Sequence, residues 1–194
     1  MNRRDLLNPI QLAFFDQLKD LYEHIDDAFI ADFKRSVSFG DVFVDRWERA
    51  CKLGFGERTN IYDSSLVIGD VKVGTDCWIG PYTILDGSGG LVIGNFCTIS
   101  SGVQLYTHDN IKSTLSSGTL PVERKSSKIG NNCYIAPNAL ITKGVLIGNY
   151  CVIAANSFVN KSFPDYSIIA GVPAKQIGLV NFEGDNIEFE FFKK

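Results

Sequence analysis

Residues 128–159 read KIGNNCYIAPNALITKGVLIGNYCVIAANSFV, and every sixth residue from Ile129 is apolar: Ile129, Ile135, Ile141, Ile147, Ile153 and Val159. The same period runs upstream through Ile61, Val67, Val73, Ile79 and Leu85, and after a slip of two residues through Ile93, Ile99 and Leu105. A short fixed period sustained over about a hundred residues marks a solenoid. Four positions after each apolar residue the chain takes only small side chains: Ser65, Val71, Cys77, Thr83, Cys97, Val103, Cys133, Ala139, Val145, Cys151 and Ser157. Four of the five cysteines fall on this position, where a free thiol serves as a small buried hydrophobe. The odd count and the lack of CxxC spacing argue against a disulfide framework or a zinc cluster, and suggest a reducing, cytoplasmic compartment. Cys51 lies outside the pattern.

Two stretches break the period. Asp86-Gly87-Ser88-Gly89-Gly90 adds two residues to one hexad and reads as a flexible bulge. His108–Ser127, HDNIKSTLSSGTLPVERKSS, is polar and aperiodic. A loop of this length inside a compact domain is usually functional or disordered.

The flanks differ in character. Residues 1–58 are expected to form a helical cap over the open end of the solenoid, since a bare end exposes apolar surface and strand edges. Phe14, Leu18, Leu21, Ile25, Phe29 and Phe33 make an amphipathic stripe, with Asn8 as N-cap and Pro9 at the first helical position. A second helix is expected over Asp45–Leu53, ended by Gly54. The solenoid takes residues 59–177, with the loop 108–127 inside it, and 178–194 form a tail. In that tail, Ile187, Phe189 and Phe191 alternate with glutamates as a half-buried strand or an oligomer contact would.

Composition is that of an ordinary globular protein, with 45% hydrophobic and 21% charged residues among 194 and a net charge of -3. Nothing in it points to nucleic acid or an anionic membrane as partner. The N-terminus has no apolar h-region of a signal peptide, and no apolar run is long enough to span a bilayer.

The repeat, the stretch LVIGNFCTISSGVQLYTHDN (91–110) and the closing IIAGVPAKQIG (168–178) resemble the bacterial hexapeptide-repeat acyltransferases, and within them the sugar O-acetyltransferase branch. The resemblance implies a mainly β fold, a left-handed parallel β-helix. It also implies acetyl-coenzyme A as co-substrate without a metal, and a homotrimer whose cofactor grooves lie between adjacent solenoids. Acetyl transfer to a hydroxyl needs a base at the acceptor, and histidine suits neutral pH. His24 sits in the helical region; His108, in YTHD, stands where this family keeps its base. Asp109 could orient the imidazole or contact the acceptor. Relatives often read THDH where this chain has Asn110, so no second histidine acts there.

By the same resemblance Tyr134 lines the groove near the thioester, and Ala136 and Ala155 let the pantetheine arm approach. Pro137 removes an N–H donor used by some relatives. Asn160 and Lys161 lie at the far end of the groove. Pro173 packs the adenine, and Lys175 meets phosphate. On the acceptor side, Asp86 stands where relatives bind acceptor hydroxyls, and Tyr82 and Tyr106 could line a sugar ring. The implied function is acetylation of a sugar hydroxyl, in surface polysaccharide or a saccharide precursor. N-acetylation of an amino (nucleotide-linked) sugar is the alternative. A carbonic anhydrase of this fold needs three histidines where the chain has two. A nucleotidyltransferase needs a phosphate-binding domain that 58 residues cannot supply, and a purely structural solenoid would not carry these breaks.

Overall fold

The computed structural model describes residues 2–184 and 186–193, which divide into two compact units, 1–45 and 46–194. The boundary falls at 45/46 rather than at 58. In the first unit the helix Pro9–Phe33 starts as the sequence predicts. The Asn8 side chain accepts from the Gln11 N–H at 2.9 Å and the Gln11 side chain accepts from the Asn8 N–H at 3.1 Å, a reciprocal capping box. Tyr22 stacks on Phe39 at 5.3 Å, in a one-turn helix Phe39–Phe43 that the sequence did not announce. No residue of the long helix is buried, and Phe14 and Phe33 are well exposed.

The second unit is mainly β, a parallel β-helix of the left-handed kind that the hexapeptide repeat builds. Its short helix Arg46–Lys52 leads into the solenoid, and Ala50 and Phe55 join the core beside Ile61. The periodic residues stack in three columns. On the first face Ile61, Ile79, Ile99, Ile135, Ile153 and Ile169 lie in register. The second face stacks Val67, Leu85, Leu105, Ile141 and Val159. The third stacks Val73, Ile93, Ile129 and Ile147, with Phe163 bridged to Ile147. Most of these side chains are almost wholly buried, so the core is a column of branched aliphatics inside a triangular prism.

The small i+4 position explains the cysteines. Cys77, Cys97, Cys133 and Cys151 are buried at one corner of successive coils, each thiol about 3.1–3.2 Å from a carbonyl oxygen of the next coil. Glycine is required where coils touch. A Cβ on Gly130 would stand 2.5 Å from the Gly148 carbonyl oxygen.

Both breaks are more ordered than the sequence suggests. Asp86–Gly90 lies within one strand, Ile84–Ile93, paired with Leu66–Val73, and Asp86 and Gly87 are buried. The long excursion holds a helix, Ile111–Leu115, between two strands of two residues, His108–Asp109 and Glu123–Arg124, paired antiparallel. The tail is a hairpin. Ala174–Glu183 runs antiparallel to Ser167–Gly171 and extends the first face, and Asn186–Phe191 pairs onto it with its side chains exposed.

Candidate functional site

Both breaks leave the solenoid at the same corner, between the second and third faces, in consecutive coils. Leu85 stacks on Leu105, so Asp86 lies one coil from Tyr106-Thr107-His108. His108 Nδ1 stands 2.6 Å from Asp86 Oδ2. The carboxylate is fully buried while the imidazole is 30% exposed. Oδ2 also accepts from the Thr107 N–H at 2.9 Å, and Oδ1 accepts from the Ser88 N–H at 3.0 Å and from the Ser88 hydroxyl. The Thr107 hydroxyl donates to the Asp86 carbonyl at 2.8 Å and accepts from the Gly89 N–H at 2.7 Å, tying the two breaks together. Burial alone would push the Asp86 carboxyl up. Hydrogen bonds from Ser88, Thr107 and His108 outweigh it and hold the group well below the usual carboxylate range. An ionised Asp86 fixes the proton on His108 Nδ1 and leaves the Nε2 lone pair to accept a proton from outside.

These facts move two expectations. Asp86 does not present its carboxylate to an acceptor hydroxyl, because it is buried and both oxygens are engaged with Ser88, Thr107 and His108. Nor does Asp109 orient the imidazole. It points to Lys143, from the next coil at this corner, where Ile141 stacks on Leu105. Lys143 also bonds Glu123 at 2.6 Å, and Lys112 pairs with Glu123 as well. Asp109 and Glu123 sit directly opposite each other in the two-residue ribbon. Like charges so placed repel, and Lys143 lies between them. The ammonium in turn holds the Asp109 carboxyl below its ordinary range, and Lys112 with Lys143 does the same to Glu123.

Tyr106 meets His108 edge-on at 6.4 Å, and its hydroxyl donates to Gln104 at 3.1 Å. Tyr82 does not join them. It occupies a left-handed corner between the first and second faces, across the prism from the dyad.

The residues expected along a cofactor groove fall into two groups. Asn160 and Lys161 are exposed on the His108 corner, following Val159 of the second face, with Lys161 5.4 Å over Phe163. Tyr134, Ala136, Ala155, Pro173 and Lys175 belong to the first face, the corner beyond it, and the hairpin that extends it. The first face lies opposite the His108 corner, so one chain does not bring Tyr134 to His108. Ala136 is 8% exposed and gives its N–H to the Ile153 carbonyl at 2.9 Å, so it offers no free donor. Tyr134 is half exposed in an apolar groove of about 300 Å³ shared with Phe96, Val152, Phe182, Ile187 and Phe189.

Among the described residues, no cluster of three or more metal-ligating side chains is present, and no helix is long and apolar enough to cross a membrane. Sequence reading missed Thr107, Ser88, Glu123 and Lys143. The period carried the signal for three of them. Once Leu85, Leu105 and Ile141 are stacked, the residues that follow each must share a corner.

Residues 126–161 match the family described as bacterial transferase hexapeptide (six repeats). Protein CapG of Staphylococcus aureus is 42% identical over an alignment of 126 positions that takes in 55% of this chain. The match spans 64% of the length of that relative. Among solved structures, the fold is similar to AntD, an N-acyltransferase from Bacillus cereus solved with dTDP and coenzyme A. That match has a TM-score of 0.58 and 24% identity, over 68% of this chain and 88% of that one. A hexapeptide-repeat-containing acetyltransferase from Vibrio cholerae is similar at TM-score 0.58 and 22% identity, over 82% of this chain and 90% of that one. A galactoside acetyltransferase in complex with coenzyme A is similar at TM-score 0.58 and 23% identity, over 82% and 80%.

Proposed function

From a chain built on the bacterial transferase hexapeptide repeat, we propose an acetyl-coenzyme A-dependent acetyltransferase whose general base is His108 and whose acceptor is a sugar hydroxyl. The observation that carries the reading is the 2.6 Å contact between a part-exposed imidazole and a fully buried carboxylate, at the point where the repeat gives way. A lone surface histidine needs no such partner. A base does, because the partner fixes the tautomer and stabilises the imidazolium that forms.

In this mechanism Nε2 of His108 takes the proton from the acceptor hydroxyl as its oxygen attacks the acetyl carbonyl carbon. The tetrahedral intermediate then collapses, the carbon–sulfur bond breaks, and the thiolate of coenzyme A leaves with the bond's electron pair. The proton held by the imidazolium returns to the thiolate. Asp86 acts through His108 as a positioning residue.

Coenzyme A carries phosphates, an adenine and a pantetheine arm, and the chain offers matching surfaces. Lys161 and Lys175 are exposed cations, and Tyr134 lies in an apolar groove. Because Tyr134 and His108 lie on opposite sides of the prism, the reading requires a homo-oligomer, most simply a trimer, in which the His108 corner of one copy faces the first face of another. The structures of similar fold in complex with coenzyme A favour the same co-substrate.

N-acylation of a nucleotide-linked amino sugar is the second reading. The similarity to AntD, solved with dTDP, favours it, and an amine acceptor would use the same base. The test is release of coenzyme A from acetyl-coenzyme A with galactosides, polysaccharide fragments and nucleotide-linked amino sugars as acceptors. The leading reading expects release with saccharide hydroxyl acceptors. Release confined to amino sugars would transfer the assignment to the second reading.

A further inference from the structure

The two-residue ribbon that carries His108 has two faces with different chemistry. Residues directly opposite each other in an antiparallel pair project their side chains to the same side, with Cβ atoms about 4.5–5.5 Å apart. Asp109 faces Glu123, and Lys143 closes that side as an ion cluster. His108 faces Arg124, so the base and a guanidinium leave the ribbon on the other side. Arg124 is exposed, and no described residue offers it a carboxylate or a hydrogen-bond acceptor. The nearby carboxylates are spent: Asp86 on His108, Asp109 on Lys143, Glu123 on Lys112 and Lys143. Lys125, next in the chain, lies with its stem against Gly144 beside Lys143, on the other side of the ribbon. Arg124 is therefore the cation that shares the base's side of the ribbon, in a chain whose net charge is -3.

We propose that Arg124 reads an anionic group on the acceptor, a carboxylate or a phosphate, so that the saccharide acetylated at His108 is an acidic or phosphorylated one. The inference rests on the acyltransferase reading and adds the class of acceptor to it. A planar guanidinium binds either oxyanion through paired N–H donors, which anchors the sugar in one orientation beside Nε2 and selects which hydroxyl is deprotonated.

The experiment measures coenzyme A release with three probes in each of the gluco, galacto and manno configurations: the neutral methyl glycoside, the methyl glycoside of the uronic acid, and the hexose 1-phosphate. Expected is a kcat/KM for at least one anionic probe that exceeds its neutral counterpart roughly tenfold or more, the scale of one charge-assisted hydrogen bond. The carboxylate and phosphate arms show which oxyanion is read. Arg124→Gln should remove that advantage by raising KM for the anionic probe, and Arg124→Lys should restore part of it. Equal use of neutral and anionic probes, or an Arg124→Gln loss spread evenly over all of them, would overturn the inference and leave the acyltransferase reading standing. No release with any probe would remove both.

Discussion

Asp86 and Lys143 both belong to the corner that carries His108, yet they hold it by opposite means. Asp86 is fully buried and bonds the imidazole directly, whereas Lys143 never touches it and clamps the carboxylate beside it. One fixes the tautomer and the other fixes the ribbon.

Asp86→Asn tests the first role. An amide oxygen that accepts from Nδ1 and from the Thr107 N–H turns its N–H2 group onto the Ser88 donors, so either the tautomer or the Ser88 bonds are lost. We expect kcat to fall roughly 10²-fold, within the range a general base contributes, with KM for acetyl-coenzyme A little changed. Steady-state kinetics check it, and an unaltered kcat would remove the positioning role.

The same carboxylate predicts a pH dependence. Its native value is held below the ordinary Asp value of about 3.9. The ionised form therefore contributes stability that is fully present above about pH 4 and is lost as pH falls toward the native value. Urea midpoints of wild type and Asp86→Asn should differ most near pH 7, and the gap should narrow steadily as pH falls below about 4. A gap that widens on acidification would contradict the sign.

Lys143→Met tests the second role. With that cation gone, only Lys112, paired with Glu123, offsets the repulsion between Asp109 and Glu123, and the ribbon should open. Hydrogen exchange across residues 108–126 should speed up while the solenoid columns stay protected. Adding Glu123→Gln to Lys143→Met should restore much of the protection, because it removes one of the two like charges. A double variant as open as the single one would show that Lys143 acts otherwise.

How much could be read from the chain follows from what the period controls. Ile61 to Val159 announce the core because each must point inward, and the cysteines follow because the next inward position tolerates only small groups. The stacking of Leu85, Leu105 and Ile141 was also legible, and with it the shared corner of Asp86, His108 and Lys143. What the period cannot carry is side-chain direction within a break. Asp86 and Asp109 are both acids beside glycines or a turn. Only the fold shows that one is turned inward onto His108 and the other outward onto Lys143. The boundary at 45/46 was illegible for a similar reason: the stripe from Phe14 to Phe33 looks ready for burial, but the residues that enter the core are Ala50 and Phe55.

The columns make a stability prediction. Ile135 is wholly buried between Ile99 and Ile153, where truncation leaves a cavity that flanking coils cannot close. Ile135→Ala should cost about 2–5 kcal/mol in urea unfolding. Leu146→Ala, on the exposed row of the neighbouring face, should cost much less. Equal losses would mean that the outward row is covered in solution.

The most direct test of the central claim is transfer itself, measured as coenzyme A released from acetyl-coenzyme A in the presence of saccharide acceptors, for wild type and His108→Ala side by side. Expected are acceptor-dependent release by wild type, a loss of roughly 10²–10⁴-fold in His108→Ala, and retained binding of acetyl-coenzyme A by the variant. Normal turnover by His108→Ala would contradict that claim.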